Sequence, residues 1–213
     1  MKNSFRCLAA VAMMFTASLS ANAQFQTDRE SAPFHLGVHG GLTLSSFSGD
    51  GEFKSVVFPT AGVHLDLQLG SNPLFLGTGV SFVEEGAKFD VDRSYSGSPV
   101  IETRTTRRET IHIPAVIGYH INTAPKMFIN PYGGLFGGFC MGGSYNEGLR
   151  WGNFGLRLGC GMNFGRMTFD ISYDLGLFDV DDHFSSGSGP YGVDGVRTGS
   201  FFATVGYNIL GDW

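Results

Sequence analysis

Apolar and polar residues alternate strictly through residues 167–177, which read M-T-F-D-I-S-Y-D-L-G-L. Met167, Phe169, Ile171, Tyr173, Leu175 and Leu177 share one side of an extended strand; Thr168, Asp170, Ser172, Asp174 and Gly176 share the other. Successive side chains of a strand point to opposite faces, so this segment has one oily and one polar face. Residues 151–164 repeat the pattern, with Phe154, Leu156, Leu158, Cys160, Met162 and Phe164 against Asn153, Gly155, Arg157, Gly159, Gly161 and Asn163. Further runs cover 34–47, 57–69, 74–88, 110–121 and 197–209. Residues 127–140 complete the set less clearly, since both of their faces carry glycine and aromatics.

Each run is long enough to cross a bilayer, which takes about 9–11 strand residues at a tilt of about 45°. The connections alternate in length. Residues 70–73, 122–126 and 165–166 are short turns, whereas 48–56, 89–109, 141–150 and 179–196 are longer and polar. Four long loops at one end, with three turns and both termini at the other, predict an all-β, eight-stranded antiparallel up-and-down transmembrane β-barrel. Its loops are expected outside the cell and its turns in the periplasm. In lipid every backbone N–H and C=O needs an internal partner, which is why the strands must close into a ring. Phe47, Phe58, Trp151 and Phe201 at the loop end, and Tyr119, Phe164, Tyr207 and Trp213 at the turn end, are expected to form two interfacial girdles. A soluble lipocalin-like barrel, with the apolar face turned inward, is the alternative that alternation alone leaves open.

The start of the chain favours export. Residues 1–23 read as a cleavable signal peptide: Lys2 and Arg6, a short apolar stretch, then Ala21-Asn22-Ala23 as the cleavage site. Residues 24–32 form a short lead, and the barrel domain is expected over 33–213. Loss of Lys2 and Arg6 takes the formal charge from −5 to −7, which argues against a nucleic-acid partner. Cys140 and Cys160 would remain. A hairpin centred near Tyr145 separates them by about nine residues, roughly 30 Å of strand, too far for a disulfide.

Three segments resemble the outer-membrane β-barrel domain known as porin-family or PorT-like. His112-Ile113-Pro114-Ala115-Val116-Ile117-Gly118-Tyr119 is similar to its I-P-L-L-L-K-Y strand. Residues 153–161, N-F-G-L-R-L-G-C-G, resemble its F-G-x-x-x-G-x-G strand, and Tyr173-Asp174-Leu175-Gly176-Leu177 its Y-x-x-G-L strand. Gly118 departs from the pattern, standing where lysine is frequent. Leu210-Gly211-Asp212 separate Ile209 from the terminal Trp213. The resemblance implies location and fold, and it carries no catalytic residues.

The candidate chemistry lies on the polar face and in the loops. His35, His39, His64, His112 and His120 fall on the inferred inner face. A β-hairpin brings His39 close to His64, with Asp66 near, a set of plausible zinc or copper ligands. Small barrels also fill their interiors with hydrogen-bonded polar side chains, and that reading is preferred, so no metal or cofactor is expected. Asp170 and Asp174 share a face with Arg157 on the preceding strand. They form either a proton-sharing acid pair or part of an ion-paired lumen, and the second is preferred because buried charges need partners. Asp182, His183, Ser185 and Ser186 in a long loop are the residues an outer-membrane lipid- or peptide-cleaving enzyme would use. Arg104, Arg107 and Arg108 could meet lipopolysaccharide phosphates, or be balanced in a solvated loop by Glu102 and Glu109. No G-x-S-x-G, H-E-x-x-H or phosphate loop occurs. The expectation is therefore a non-enzymatic role in the outer membrane of a Gram-negative envelope: structural, surface-interacting or secretion-associated. A narrow porin is the transport alternative. Expected partners are outer-membrane lipids, lipopolysaccharide, the barrel-insertion machinery acting on the last strand, and an unnamed extracellular or envelope protein.

Overall fold

The computed structural model describes residues 34–48, 53–69, 73–92, 101–144, 151–178 and 197–211. The expected signal peptide and lead, His183 with its neighbours, and Trp213 lie outside them.

Among the described residues nine strand segments run in chain order: β1 (Phe34–Ser48), β2 (Lys54–Gln68), β3 (Leu74–Asp92), β4 (Ile101–Tyr119), β5 (Ile121–Ala124), β6 (Met127–Ser144), β7 (Gly152–Phe164), β8 (Met167–Gly176) and β9 (Arg197–Leu210). β5 continues β4 along the edge of β6, so the ring has eight strands. The interruption falls at His120, whose N–H bonds to Pro73 O (2.7 Å). Every neighbouring pair is antiparallel. β1 pairs with β9 and β4 with β6, which closes the sheet into a barrel.

The faces follow the alternation. Leu42, Ile117 and Ile171 point outward and are each 56% exposed, while His112 and Asp174 point inward and are at most 1% exposed. The apolar surface is therefore the outer one, which overturns the lipocalin-like alternative. On β7 and β8 every residue takes the face the alternation predicts. β6 resolves into Phe128, Asn130 and Phe136 inside against Leu135, Phe139 and Met141 outside.

Two expectations need correction. Phe47 and Phe58 are buried in the lumen, because they sit in phase with Ser45 and Thr60 and not with Leu44 and Val57. Trp151, Phe164, Phe201 and Tyr207 are exposed on the outer wall, as a girdle requires, and Tyr119 is half-buried. The long loop expected at 89–109 is largely strand. β3 and β4 pair as far as Asp92↔Ile101. Their 19 residues each exceed the 9–11 or so that cross a membrane, leaving about 8 residues, roughly 25 Å of ribbon, on the loop side. Above the lipid both faces are polar, so alternation vanishes although the strand continues. The β-branched Ile101, Thr103, Thr105 and Thr106 were the surviving signal.

Cys140 and Cys160 are free, with Cys160 exposed on the outer wall. Cys140 N bonds to Trp151 O, whereas Cys160 pairs with Pro131, nine residues farther along β6. The expected result on gels is one mobility with and without reductant, and alkylation by a lipid-soluble maleimide of Cys160. A band that shifts on reduction would contradict the register.

Candidate functional site: the barrel lumen

An eight-stranded ring is only wide enough for side chains to fill it. Glycine makes room where two walls meet closely. A Cβ on Gly118 would lie 2.3 Å from the Phe75 ring and 2.8 Å from Tyr132 Cβ. The lysine frequent there in the resembling family has no space, which accounts for that departure.

Across the loop-end half runs a chain of buried polar groups. Arg157 grips Asp174 with two bonds, Nε to Oδ1 and Nη2 to Oδ2, both 2.6 Å. His112 Nδ1 lies 3.1 Å from Asp174 Oδ2, and its Nε2 lies 3.3 Å from Glu85 Oε1. Glu85 stands directly across the ladder from the fully buried Arg108. Ser200 Oγ donates to Glu85 Oε1 and approaches Ser45 Oγ, both at 3.3 Å. Six strands are thereby tied together through the middle of the barrel. Aromatic rings pack around them: Phe136 stacks on His112 (4.9 Å), and Arg157 lies over Phe202 (5.0 Å).

Nearer the turns, the polar residues divide into local pairs. Tyr132 Oη donates to Asp170 (2.8 and 2.9 Å), so Asp170 and Asp174 are not a proton-sharing pair; each has its own partner. His64 Nε2 is 2.9 Å from Asn208 Oδ1, and His39 Nε2 is 3.0 Å from Ser81 Oγ. His120 stacks on Phe75 (4.3 Å) and bonds Asn130 (2.9 Å). A cavity of about 130 Å³ lies between the two halves, bordered by His39, His64, Asp66, Tyr132, Arg157 and Asp170. His39 and His64 do meet, with ring centroids 5.8 Å apart. Among the described residues, no three His, Cys, Asp or Glu side chains converge on a metal position.

A model of the outer membrane protein β-barrel domain matches residues 22–182. The chain belongs to that family. The match carries the general description of the domain and not the narrower PorT-like one. Solved structures similar to this outer-membrane barrel include Ail, the attachment invasion locus protein of Yersinia pestis, crystallised with the heparin analogue sucrose octasulfate. That pair shares 14% identity over 83% of this chain and 99% of the other, with a TM-score of 0.39. Neisserial surface protein A shares 14% identity over 85% of this chain and 100% of the other, with a TM-score of 0.42. The β domain of the Bordetella autotransporter BrkA shares 17% over 83% and 75%, with a TM-score of 0.33. No curated protein matches the chain.

In this outer-membrane barrel the basic stretch does not stay together. Arg107 faces out and donates to Glu84 Oε1 (2.7 Å) and Glu109 Oε1 (3.4 Å), whereas Arg108 turns into the lumen. Adjacent residues of a strand point to opposite faces, so Arg107 and Arg108 can share a loop but not a strand face. Treating 104–108 as a loop is what hid Arg108. Glu85 lies within the alternating run 74–88, and its odd-numbered phase with Ser81 places it on the inner face.

Proposed function

We propose that this outer-membrane barrel has no catalytic task, rests with its lumen closed, and acts through its loop-end surface. The observation that carries the reading is the chain of buried charges from Arg157 to Ser45, which fills the cross-section where a pore would run. The same chain holds an Asp–His pair, Asp174 with His112, but both side chains are at most 1% exposed. No substrate reaches a dyad buried that deeply. The β3–β4 ribbon stands above the lipid band, and Arg107 on its outer face has the height to meet lipopolysaccharide phosphates. β9, with Tyr207 and Ile209 outward, is the strand offered to the insertion machinery.

The test is reconstitution of the refolded chain in planar bilayers, beside lipase and protease assays. The expected result is a heat-modifiable barrel with no steady current and no hydrolysis. A stable ohmic conductance would establish the narrow-porin alternative in its place.

A further inference from the structure

Residues 83–87 of β3 break the pattern kept by the rest of the wall. Alternate wall residues are exposed, yet Val83, Glu84, Glu85, Gly86 and Ala87 are all buried, Glu84 beneath the outward Arg107. The β2–β3 ladder is interrupted over the same stretch. Thr60 pairs with Val83 and Ser55 with Ala87, while β2 residues 56–59 between them pair with β1 alone. Pro59 lies in this gap and has no N–H to give a ladder. In place of β2, the segment bonds across the lumen to strands that are not its neighbours in the ring. Gly86 N donates to Ser45 Oγ of β1 (3.1 Å), and Glu85 accepts from Ser200 of β9 (3.3 Å).

Beneath it lies the cavity. Asp66 and Asp170 stand in its wall, and Arg157, the cation among its lining residues, is already held by both oxygens of Asp174. Asp170 accepts from Tyr132. Among the described residues no hydrogen bond or ion pair reaches the Asp66 carboxylate. A carboxylate enclosed without a partner is costly, and a cation beside it removes the cost.

We propose that the lumen cavity is a site for small hydrated cations arriving from the loop end, with residues 83–87 as its gate. Opening returns the segment to the wall, where residues 84–86 take up pairing with β2 residues 56–59 and a one-residue bulge at Pro59 absorbs the difference in length. The closed state holds the segment by the Ser45 and Ser200 hydroxyls at 3.1 and 3.3 Å and by Glu85 against His112 at 3.3 Å; the open state regains ladder bonds to β2, and the ladder to β4 is kept in both. Water entering above the cavity also relieves the dehydration of Glu85, Arg108 and His112. Two carboxylates in the wall favour cations over anions of the same size.

The inference rests on the closed lumen, and its test separates the two. In a background with Cys140→Ser and Cys160→Ala, Thr204→Cys places a thiol on the cavity wall. Intact cells are treated with a small ammonium-bearing methanethiosulfonate or with its sulfonate counterpart. The expected result is slow labelling with the gate intact and at least tenfold faster labelling when Glu85→Gln is added, the ammonium reagent leading the sulfonate at least tenfold. Asp66→Asn narrows that preference. If Glu85→Gln does not fold, Ser45→Ala removes the Gly86 anchor without touching the ion cluster. Heat-modifiability certifies each variant. Folded gate variants that label no faster, or that label equally with both reagents, overturn the proposal, while steady current through the unmodified barrel overturns the closed-lumen reading.

Discussion

Arg157→Leu is expected to lower the stability of the folded barrel by about 3–5 kcal/mol, the range for breaking a buried ion pair by removing one partner. Arg157 supplies two charge-assisted bonds to Asp174, both 2.6 Å, from inside the lumen. Bonds of this type are about twice as strong as neutral ones. Leucine retains much of the packing over Phe202 but leaves Asp174 with His112 as its remaining contact. The large cost comes from the stranded carboxylate and not from the lost attraction. Asp174→Asn in the same molecule should therefore return part of the loss, a coupling that a double-mutant cycle measures directly. Urea titration in detergent, read from folded and unfolded gel mobilities, decides it. A midpoint unchanged in Arg157→Leu would mean that the lumen network does not hold the strands together.

Ile171→Arg is the second large effect and probes the opposite face. Ile171 is 56% exposed near the middle of β8, flanked on the outer wall by Phe169 and Tyr173. In a bilayer that position meets hydrocarbon, and arginine there costs about 2–4 kcal/mol near the midplane. In a water-soluble barrel the same substitution would be nearly neutral, within about 0.5 kcal/mol, as surface changes usually are. The sign and size of one measurement in lipid vesicles therefore report which solvent the outer face meets. Unchanged stability would sever the link between the outward apolar face and the membrane.

These two substitutions lie on adjacent strands, and both positions were assigned to their faces from alternation alone. The legible part of the fold is the part that spans lipid. There one face must be apolar and the other is not, so a period of two is written into residues 151–164 and 167–177 without interruption. The placement of His39 beside His64 was legible as well, because a hairpin register fixes which inward residues meet. The β3–β4 ribbon was not legible. Once a strand leaves the membrane neither face needs to be apolar, and charges at 102–109 look like a loop. Phe47 and Phe58 face the lumen because phase along the strand, and not aromatic character, sets the face.

The sequence by itself determined the number of strands, their direction of alternation and the end at which the long connections lie. Those depend on local solvent contrast, which each strand carries in its own residues. Only the tertiary structure decided which side chains meet across the lumen. Arg157, Asp174, His112, Glu85, Ser200 and Ser45 come from six different strands, and no spacing along the chain reveals that their side chains form one line. The inward course of β3 at Glu85 and Gly86 belongs to the same class. It depends on which strand offers a hydroxyl across the barrel, and ring closure alone settles which strands face each other.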